Sequence, residues 1–340
     1  MAADLSWWWG LMIAAGGITF VMTEGIRRYA LAKRLMDIPG ERSSHKAPTP
    51  RGGGMAFVLV FLGALPVLVV SGVLTLPTAM ALGGAGVLTA GIGFVDDHAH
   101  VAPQWRLMAH FLAAAWVVGW WLMSNNSYFI ISGAPKAIQS IVAVFFLAWM
   151  LNLYNFMDGI DGIASVEAIT VCLGAAALSV FHGQLSAAIA PMVLASAVAG
   201  FLVWNMPPAR IFMGDGASGF LGITLGAMTL MTSHERPQEQ WAWLILLGVF
   251  IVDATWTLVC RFLSGKRVVD AHRSHAYQRA SQRFGGHLPV TLSVAVINVV
   301  WLTPWAVLVS SSWVPPWLGL CAAYGPLVLL AVALGAGADA

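Results

Sequence analysis

Four polar side chains recur at every third position in the segment NLYNFMDGIDG, residues 152–162: Asn152, Asn155, Asp158 and Asp161. A step of three residues stops about 60° short of a helical turn, so neighbours in the series share a face, whereas the first and last do not. Amide and carboxylate oxygens without histidine or cysteine suit a hard divalent cation. The segment therefore predicts a cation site, because capping of a helix end explains one such residue and not four in register.

A further acidic residue, Asp215, lies between two glycines in the segment ARIFMGDGASGF, residues 209–220. The pattern puts a carboxylate at the predicted start of a helix, where backbone N–H groups would otherwise attract an anion. Taken alone, Asp215 is explained equally well as a helix N-cap. Beside Asn155, it becomes a candidate second ligand of the cation.

Two adjacent carboxylates, Asp96 and Asp97, close an apolar run in the segment GIGFVDDHAH, residues 91–100. On a helix they project about 100° apart. They therefore do not form a symmetric dyad, but they could serve one metal or phosphate cluster from two directions. A solvated helix end is the alternative interpretation.

Basic residues in the first long loop, MDIPGERSSHKAPTPRGGG, are candidates for binding phosphate. Lys46 and Arg51 are spaced to reach phosphate oxygens, and His45 beside Lys46 is a further substrate-binding candidate. Prolines forbid a helix here, and the amides of 52–54 could line an anion-binding nest or let a neighbouring span approach closely. A flexible, positively charged loop without a ligand is the alternative.

A second basic loop, KRVVDAHRSHAYQRASQR, covers residues 266–283 and contains His272, Arg273 and His275. The guanidinium could bind phosphate oxygens bidentately and the imidazoles could donate to them. Solvated loop residues without a ligand explain the same pattern. The acid Asp253, in the apolar run that precedes this loop, is interpreted as a structural partner of a loop cation rather than a catalytic residue.

Composition indicates that membrane-spanning elements position these residues. The 340 residues are 59% hydrophobic and only 9% charged, against about 25% charged in soluble domains, and the mean hydropathy is +0.79. The net charge of +2 is too small to predict a nucleic-acid partner. The three cysteines lie in apolar runs without a CxxC spacing, so they imply neither a disulfide framework nor a thiolate metal site.

The fold class that follows is all-α: one domain over residues 1–340, built as a polytopic membrane helix bundle of about 11 (10–11) spans. Long uncharged runs place the spans at 7–26, 55–75, 78–95, 105–123, 137–154, 160–181, 185–204, 217–232, 241–263, 290–310 and 314–335. We see no internal repeat and no second domain.

Charge on the connections predicts the orientation. All of the 17 lysines and arginines except Lys136 and Arg236 follow odd-numbered spans. Under the positive-inside rule these connections are cytoplasmic, which places the N-terminus outside. The polar clusters all fall on that face, and together they describe a pocket for a diphosphate and Mg²⁺, with Mn²⁺ as the alternative cation.

The motifs resemble those of the polyprenyl-phosphate N-acetylhexosamine-1-phosphate transferases. The likeness rests on DIPGERSSHKAPTPRGGG, GFVDD, NLYNFMDGIDG, FMGDGASG and HRSHAYQ occurring in the family's order, and it covers nearly the whole chain. It implies transfer of a sugar-1-phosphate from a UDP-N-acetylhexosamine to undecaprenyl phosphate in a bacterial inner membrane, with release of UMP and a catalytic face in the cytoplasm. HRSHAYQ and the RSSH loop resemble the branch that makes the first lipid-linked sugar of O-antigen or similar polysaccharides.

The resemblance also implies roles for individual residues. Asn155 and Asp215 are expected to bind Mg²⁺, and Asn152 to contact substrate. The implied catalytic residues are the remaining acids and the histidines, namely Asp96 and Asp97 near the lipid phosphate, Asp158 and Asp161 beside the metal, and His272 and His275 in a histidine box. Ser274 stands where the commoner HxHH box has a histidine, which leaves Arg273 as a phosphate-binding candidate. Lys46 is expected near the diphosphate.

Three questions stay open at the level of sequence. The first is function, for which a secondary transporter and a lipid pyrophosphatase are the alternatives. The second is mechanism, because the lipid phosphate could attack the UDP-sugar directly or could attack a covalent phospho-enzyme formed first by an aspartate. We favour direct attack, since a phosphomonoester with a second pKa of about 6 is already mostly dianionic at pH 7. The sugar (GlcNAc, FucNAc, QuiNAc or GalNAc) is not fixed by these motifs. A second copy of the chain is a candidate partner.

Overall fold

The computed structural model describes residues 5–40, 47–99, 101–124, 134–231, 237–266 and 272–338. Within these ranges the only strands are the two-residue β1 (Met36–Asp37) and β2 (Thr49–Pro50), which pair antiparallel across the first loop. The remaining elements are helical, so the all-α prediction is confirmed. The helices are α1 (Leu5–Lys33), α2 (Met55–Val70), α3 (Leu76–Ala99), α4 (Pro103–Met123), α5 (Lys136–Met157), α6 (Ile163–Phe181), α7 (Leu185–Asn205), α8 (Asp215–Met231), α9 (Pro237–Leu246), α10 (Gly248–Leu263), α11 (Ala276–Arg283), α12 (His287–Val296), a π-helix (Ile297–Leu302), α13 (Thr303–Ser310) and α14 (Pro316–Ala333).

Each of the eleven predicted runs overlaps one helix or one consecutive set of helices, and this confirms a polytopic helical membrane protein. Among the described residues, eight helices are long and apolar enough to cross a membrane, or nine if α9 and α10, which meet at a bend of 68°, form one span. The 16 residues of α2 extend about 24 Å, less than the roughly 30 Å of a bilayer core. Eleven spans and their orientation therefore stay predictions.

The centre of the molecule is α8, which contacts α3 on one side and α5 on the other. Every residue from Gly216 to Leu230 is buried. Glycine makes this packing close: a Cβ added to Gly93 of α3 would overlap the backbone of Gly216. The contact brings the end of α3 and the start of α8, which carry two of the predicted acidic motifs, to the same place.

Outer helices expose apolar side chains as a lipid-facing surface does. Val70 is 91% exposed, Leu263 77% and Ile13 75%. Lipid chains solvate such residues without the penalty that water would impose.

Candidate functional site

The acidic turn between α5 and α6 is the first component of the site. Asp158 caps the C-terminus of α5 and Gly162 precedes α6 with a left-handed φ of +75°. The amide of Gly162 donates to Oδ1 of Asn205 at 3.0 Å, and Nδ2 of Asn205 donates to the carbonyl of Ile211 at 3.1 Å. Buried Asn205 therefore ties the acidic turn to the loop before α8.

Asp161 is held from two sides. Its Oδ2 accepts a hydrogen bond from the amide of Ala209 at 3.0 Å, and its carbonyl accepts one from Oγ1 of Thr291 at 2.8 Å. Nδ1 of His287 lies 3.2 Å from Oδ1. The carboxylate is therefore fixed between the loop before α8 and the first turn of α12.

Asn155 and Asp215 lie beside each other, as the sequence predicts. The side chain of Asn155 is within hydrogen-bonding reach of the Asp215 carboxylate, and the hydroxyl of Ser218 donates to Oδ1 of Asn155 at 2.9 Å. Asp215 is the first residue of α8 and follows Gly214, whose φ is +88°. The Asn155 amide therefore lies beside the Asp215 carboxylate, while its oxygen accepts from Ser218.

The two aspartates at the end of α3 have different partners. Asp96 accepts from the amide of Val101 at 2.7 Å and from the guanidinium of Arg106, which also lies 3.4 Å from Oδ2 of Asp215. Nε of Arg51 lies 3.6 Å from Oδ1 of Asp97, and Nη2 of Arg51 donates to the carbonyl of Asp97 at 2.7 Å. Asp96 is thus bound by the loop after α3 and by α4, whereas Asp97 is bound by Arg51 of the first loop.

Four of these acids, together with Asp37, line one cavity of about 270 Å³, which we call the acid cavity. Its described lining includes five of the predicted residues: Arg51, Asp97, Asp158, Asp161 and Asp215. Burial, with Asp215 and Asp161 nearby, raises the pKa of Asp158 well above its usual range. A bound cation would relieve this concentration of negative charge.

The first loop reaches the cavity by close backbone contacts. The amides of Gly53 and Gly54 donate to the carbonyls of Phe212 and Met213 at 2.9 and 3.0 Å. The predicted anion nest is therefore wrong for these two amides, because their N–H groups are already used, while the predicted close approach to a neighbouring segment is confirmed. His45 and Lys46 lie outside the described residues.

The histidine segment, residues 272–278, is held in place by contacts with Asp253 of α10. His275 is buried at the N-terminus of α11, with Nδ1 3.2 Å from Oδ1 of Asp253. The Asp253 carboxylate also accepts the amides of Ala276 and Tyr277, both at 2.9 Å. The interpretation of Asp253 as a structural partner of this loop agrees with these contacts.

His272 stacks on His275 with ring centroids 4.9 Å apart. Burial, followed by the positive field of His275 and Arg261, lowers the pKa of His272 to about 4. The described lining of the acid cavity includes neither His272 nor His275. It also lacks Asp96, Asn155 and Asn152, and the amide of Asn152 donates to the carbonyl of Ala148 within α5. The structure therefore brings Asp97, Asp158, Asp161 and Asp215 together at the cavity and leaves these five residues out of its lining.

A larger cavity of about 740 Å³, the second cavity, adjoins the first. Arg273 lines it, and Asp161, Phe212 and His287 line both cavities. Arg273 is therefore separated from the two histidines of its own segment and faces a different part of the site.

Sequence reasoning missed five polar residues of the site: Asp37, Arg106, Asn205, Gln278 and His287. Arg106 lies at the start of an apolar run, and a charged residue in that position could have been recognised from the sequence as a candidate site residue. Gln278 lines the acid cavity from α11, and His287 reaches Asp161 across more than a hundred residues of sequence. Neither carries a spacing that would reveal it.

Comparison with known proteins fits this geometry. The family model of glycosyl transferase family 4 matches residues 79–233, which contain Asp96, Asp97, the acidic turn and Asp215. Decaprenyl-phosphate N-acetylglucosaminephosphotransferase of Mycobacterium tuberculosis is 27% identical over 316 residues, covering 83% of this chain and 78% of that protein.

Two further relatives are similar over most of their length. The probable undecaprenyl-phosphate N-acetylglucosaminyl 1-phosphate transferase of Bacillus subtilis is 25% identical, over 82% of this chain and 78% of that protein. Phospho-N-acetylmuramoyl-pentapeptide-transferase of Streptococcus pneumoniae is 27% identical, over 76% of this chain and 84% of that protein. The predicted resemblance to the polyprenyl-phosphate sugar-1-phosphate transferases is confirmed. The prediction of a phosphotransferase is confirmed with it, because these relatives are named as such enzymes.

The family model covers only part of the site that the structure describes. Arg51, His275 and His287 lie outside the stretch that the family model matches. Their places are therefore known from the contacts described above.

Proposed function

We propose that this protein transfers an N-acetylhexosamine-1-phosphate from a UDP-sugar to undecaprenyl phosphate and releases UMP. The observation that carries the proposal is the acid cavity, where Asp97, Asp158, Asp161 and Asp215 meet Arg51 at the ends of apolar helices. A cation-binding, phosphate-sized site at the ends of membrane helices suits a reaction between a soluble diphosphate and a lipid phosphate.

The donor atoms at Asn155 and Asp215 fit Mg²⁺, with Mn²⁺ as the alternative. Magnesium takes oxygen ligands and commonly uses one or two protein carboxylates with substrate phosphates and water. The described residues contain no group of three His, Cys, Asp or Glu side chains arranged as metal ligands, which agrees with a site that the substrate completes. The cation would neutralise charge on the diphosphate.

The protein's own residues orient the two phosphates. The guanidinium of Arg51, which contacts Asp97, is placed to bind a phosphate oxygen at the cavity wall. An oxygen of the lipid phosphate forms a bond to the sugar-bearing phosphorus, and the bond from that phosphorus to the UMP oxygen breaks. The leaving UMP keeps the electron pair, so the reaction needs no further reactant.

Direct attack is favoured over a covalent phospho-enzyme. Asp96 is engaged by Arg106 and by the amide of Val101, which reduces its freedom to act as a nucleophile. Asp97, with 9% of its side chain exposed and Arg51 beside it, is better suited to orient the acceptor. A covalent route would exchange labelled UMP into the UDP-sugar without lipid, whereas direct attack predicts no such exchange in the wild-type protein.

The membrane context supports a lipid acceptor. The exposed apolar helices imply that the acceptor reaches the cavity from the bilayer, and the M. tuberculosis and B. subtilis relatives are named for decaprenyl and undecaprenyl phosphate. We assign the protein to a bacterial inner membrane with the acid cavity facing the cytoplasm. The product would be the first lipid-linked sugar of a surface polysaccharide, either O-antigen or cell wall.

The test uses the full chain in detergent with undecaprenyl phosphate, Mg²⁺ and each of four donors: UDP-GlcNAc, UDP-FucNAc, UDP-QuiNAc and UDP-GalNAc. We expect UMP release and a lipid-linked product with at least one donor, both abolished by a chelator and restored by Mg²⁺ or Mn²⁺. Release of inorganic phosphate without a sugar nucleotide would instead identify a lipid pyrophosphatase. Absence of UMP release with every donor would overturn the proposal.

A further inference from the structure

A third cavity, of about 180 Å³, lies among α1, α2 and α3, and we call it the apolar crevice. Arg51 and Asp97 line both the apolar crevice and the acid cavity. Most of the other described residues that line the crevice are apolar, among them Ala30, Leu59 and Phe94. The crevice therefore joins an apolar surface of three helices to the charged wall of the acid cavity.

The outer side of the apolar crevice faces lipid. Tyr29 of α1, Leu59 of α2 and Phe94 of α3 line it and are 45%, 50% and 44% exposed, respectively. Side chains of this kind on the outer helices are solvated by lipid chains and not by water. A hydrocarbon chain in the bilayer can therefore reach Arg51 and Asp97 without crossing water.

The mouth of the apolar crevice lies at the depth of lipid head groups. The ring of His98, near the end of α3, lies 4.3 Å from that of Phe94 and 6.5 Å from that of Tyr29, measured between centroids. Lys33 ends α1 and Arg34 follows it, and both are exposed. Tyrosine and basic side chains are typical of the boundary between membrane and cytoplasm, and basic residues there attract phosphate head groups.

The inner end of the apolar crevice offers a hydrogen-bond donor. Nη2 of Arg51 donates to the carbonyl of Asp97 at 2.7 Å. Nε of Arg51 is buried and has no hydrogen-bond partner among the described residues, since Oδ1 of Asp97 lies 3.6 Å away. A buried N–H group without a partner is costly, and a phosphate oxygen would satisfy it with a charge-assisted hydrogen bond. The crevice thus ends where the phosphate of a lipid can be bound.

The order of groups along the apolar crevice distinguishes between lipids. In a polyprenyl phosphate the hydrocarbon chain begins at the phosphate ester itself, whereas in a phospholipid a glycerol and two ester carbonyls lie between the phosphate and the chains. Buried carbonyls need hydrogen-bond donors. Gly52 and Met55, which line the crevice and follow Arg51 in the chain, provide no side-chain donor for them. An apolar wall that begins beside the guanidinium therefore fits a polyprenyl phosphate better than a phospholipid.

We propose that the apolar crevice binds the isoprene units next to the phosphate of the polyprenyl phosphate acceptor, and that Arg51 binds this phosphate at the inner end. The inference rests on the proposed function, since it names the path by which the lipid substrate of that reaction enters. The uridine and the sugar of the donor are polar and gain nothing from this path, so the crevice separates the acceptor from the donor.

The first test blocks the apolar crevice in the full chain in detergent, with undecaprenyl phosphate as the varied substrate and UMP release as the signal. We expect Leu59→Trp to raise the KM for undecaprenyl phosphate about tenfold, because roughly two methylene-sized groups of the chain lose their burial. The KM for the UDP-sugar and the Tm should stay unchanged. Leu173→Trp on α6 is the matched control, because Leu173 is also 50% exposed and does not line the crevice.

The second test identifies the occupant by photo-cross-linking. The full chain, with p-benzoylphenylalanine in place of Tyr29, is reconstituted in vesicles of phosphatidylethanolamine and phosphatidylglycerol that contain undecaprenyl phosphate. We expect mass spectrometry to find the undecaprenyl phosphate adduct at position 29, with less of it when Leu59→Trp is added. The matched control carries the same probe in place of Leu31, which lies on α1 at a similar depth, is 44% exposed and does not line the crevice.

The inference is overturned if Leu59→Trp leaves the KM for undecaprenyl phosphate within twofold of wild type. It is also overturned if the probe at position 29 captures phospholipid and undecaprenyl phosphate in the same ratio as the probe at position 31. If Leu59→Trp lowers the Tm, the cross-link at position 29 decides, because that probe replaces one aromatic ring by another. A wild type that releases no UMP would contradict the proposed function itself, whereas transfer by the wild type with either negative result would contradict the role of the crevice alone.

Discussion

At the scale of residues, the site divides into side chains that face the acid cavity and side chains that hold them. Ser218 belongs to the second group, since its hydroxyl donates to Oδ1 of Asn155 at 2.9 Å. Arg106 belongs to it as well, because it lies between the carboxylates of Asp96 and Asp215. Substitution of Ser218 or Arg106 therefore tests how the cavity-facing side chains are held in place.

Ser218→Ala is expected to raise the Mg²⁺ concentration for half-maximal activity about tenfold, because loss of a hydrogen bond that orients a metal ligand typically costs 10- to 100-fold in affinity. Activity is titrated with Mg²⁺ and with Mn²⁺. Thr229→Val, which removes a hydroxyl bonded within the same helix α8 to Leu225, is the control and should leave the titration unchanged. An unchanged titration in Ser218→Ala would mean that Asn155 is not a metal ligand.

Arg106→Ala is expected to lower kcat about tenfold, because a charge-assisted hydrogen bond contributes about 1.5–3 kcal/mol and the group is partly exposed. Its loss leaves Asp96 and Asp215 without the cation that separates them. Arg106→Lys keeps the charge but not the fork of donors and should recover part of the rate. The measurement is initial UMP release at saturating donor. Equal rates of UMP release in wild type, Arg106→Ala and Arg106→Lys would show that the ion pairs of Arg106 do not contribute to kcat.

At the scale of elements, helix contacts decide which motifs meet. The sequence predicts the apolar runs and the acids at their ends, because apolarity and charge are readable position by position. The packing of α8 between α3 and α5 cannot be predicted from the sequence, because it depends on which glycine lies against the backbone of which neighbouring helix. For the same reason Asn155 reaches Asp215, while Asn152, on the same predicted series, bonds within its own helix.

Gly93→Ala tests this packing. Its new Cβ would overlap the backbone of Gly216, which cannot move aside as a side chain can, so we expect a loss of stability of about 1–3 kcal/mol and reduced activity. Gly91→Ala in the same helix meets no atom within 4 Å and is the matched control. Thermal unfolding in detergent is measured for both. Equal Tm values would show that α3 and α8 can separate without cost.

Asp253→Asn tests the contact between α10 and α11. The carboxylate holds two backbone amides and His275, and a buried hydrogen-bonding group left without its partner typically costs about 1–3 kcal/mol. We expect a lower Tm and faster proteolysis within residues 272–286, with the donor KM raised because Gln278 at the acid cavity moves with α11. Thr257→Val, which removes only one hydrogen bond to Asp253, should have a smaller effect. Unchanged proteolysis would contradict the capping role.

At the scale of the whole molecule, contacts between distant segments bear on topology. The amide of Gly337 donates to the carbonyl of Ser274 at 2.8 Å, and Arg279 donates to the carbonyl of Ala338. The C-terminal residues therefore lie at the same end of the molecule as the histidine segment. An even number of spans must separate the two, and residues 290–310 and 314–335 supply that pair in the predicted count of eleven.

Cysteine labelling in spheroplasts tests this arrangement together with the positive-inside prediction. Cys172, Cys260 and Cys321 are first replaced by alanine, and single cysteines are then placed at Ser71, Ser264 or Ser312, each at the end of a helix. A membrane-impermeant maleimide should label positions 71 and 312, which follow α2 and α13, and should label position 264 only after the membrane is opened, because the basic loops are retained in the cytoplasm. UMP release by each variant confirms that it is folded. Labelling of position 264 in intact spheroplasts would invert the topology and place the acid cavity outside, where nucleotide sugars are not supplied by the cytoplasm.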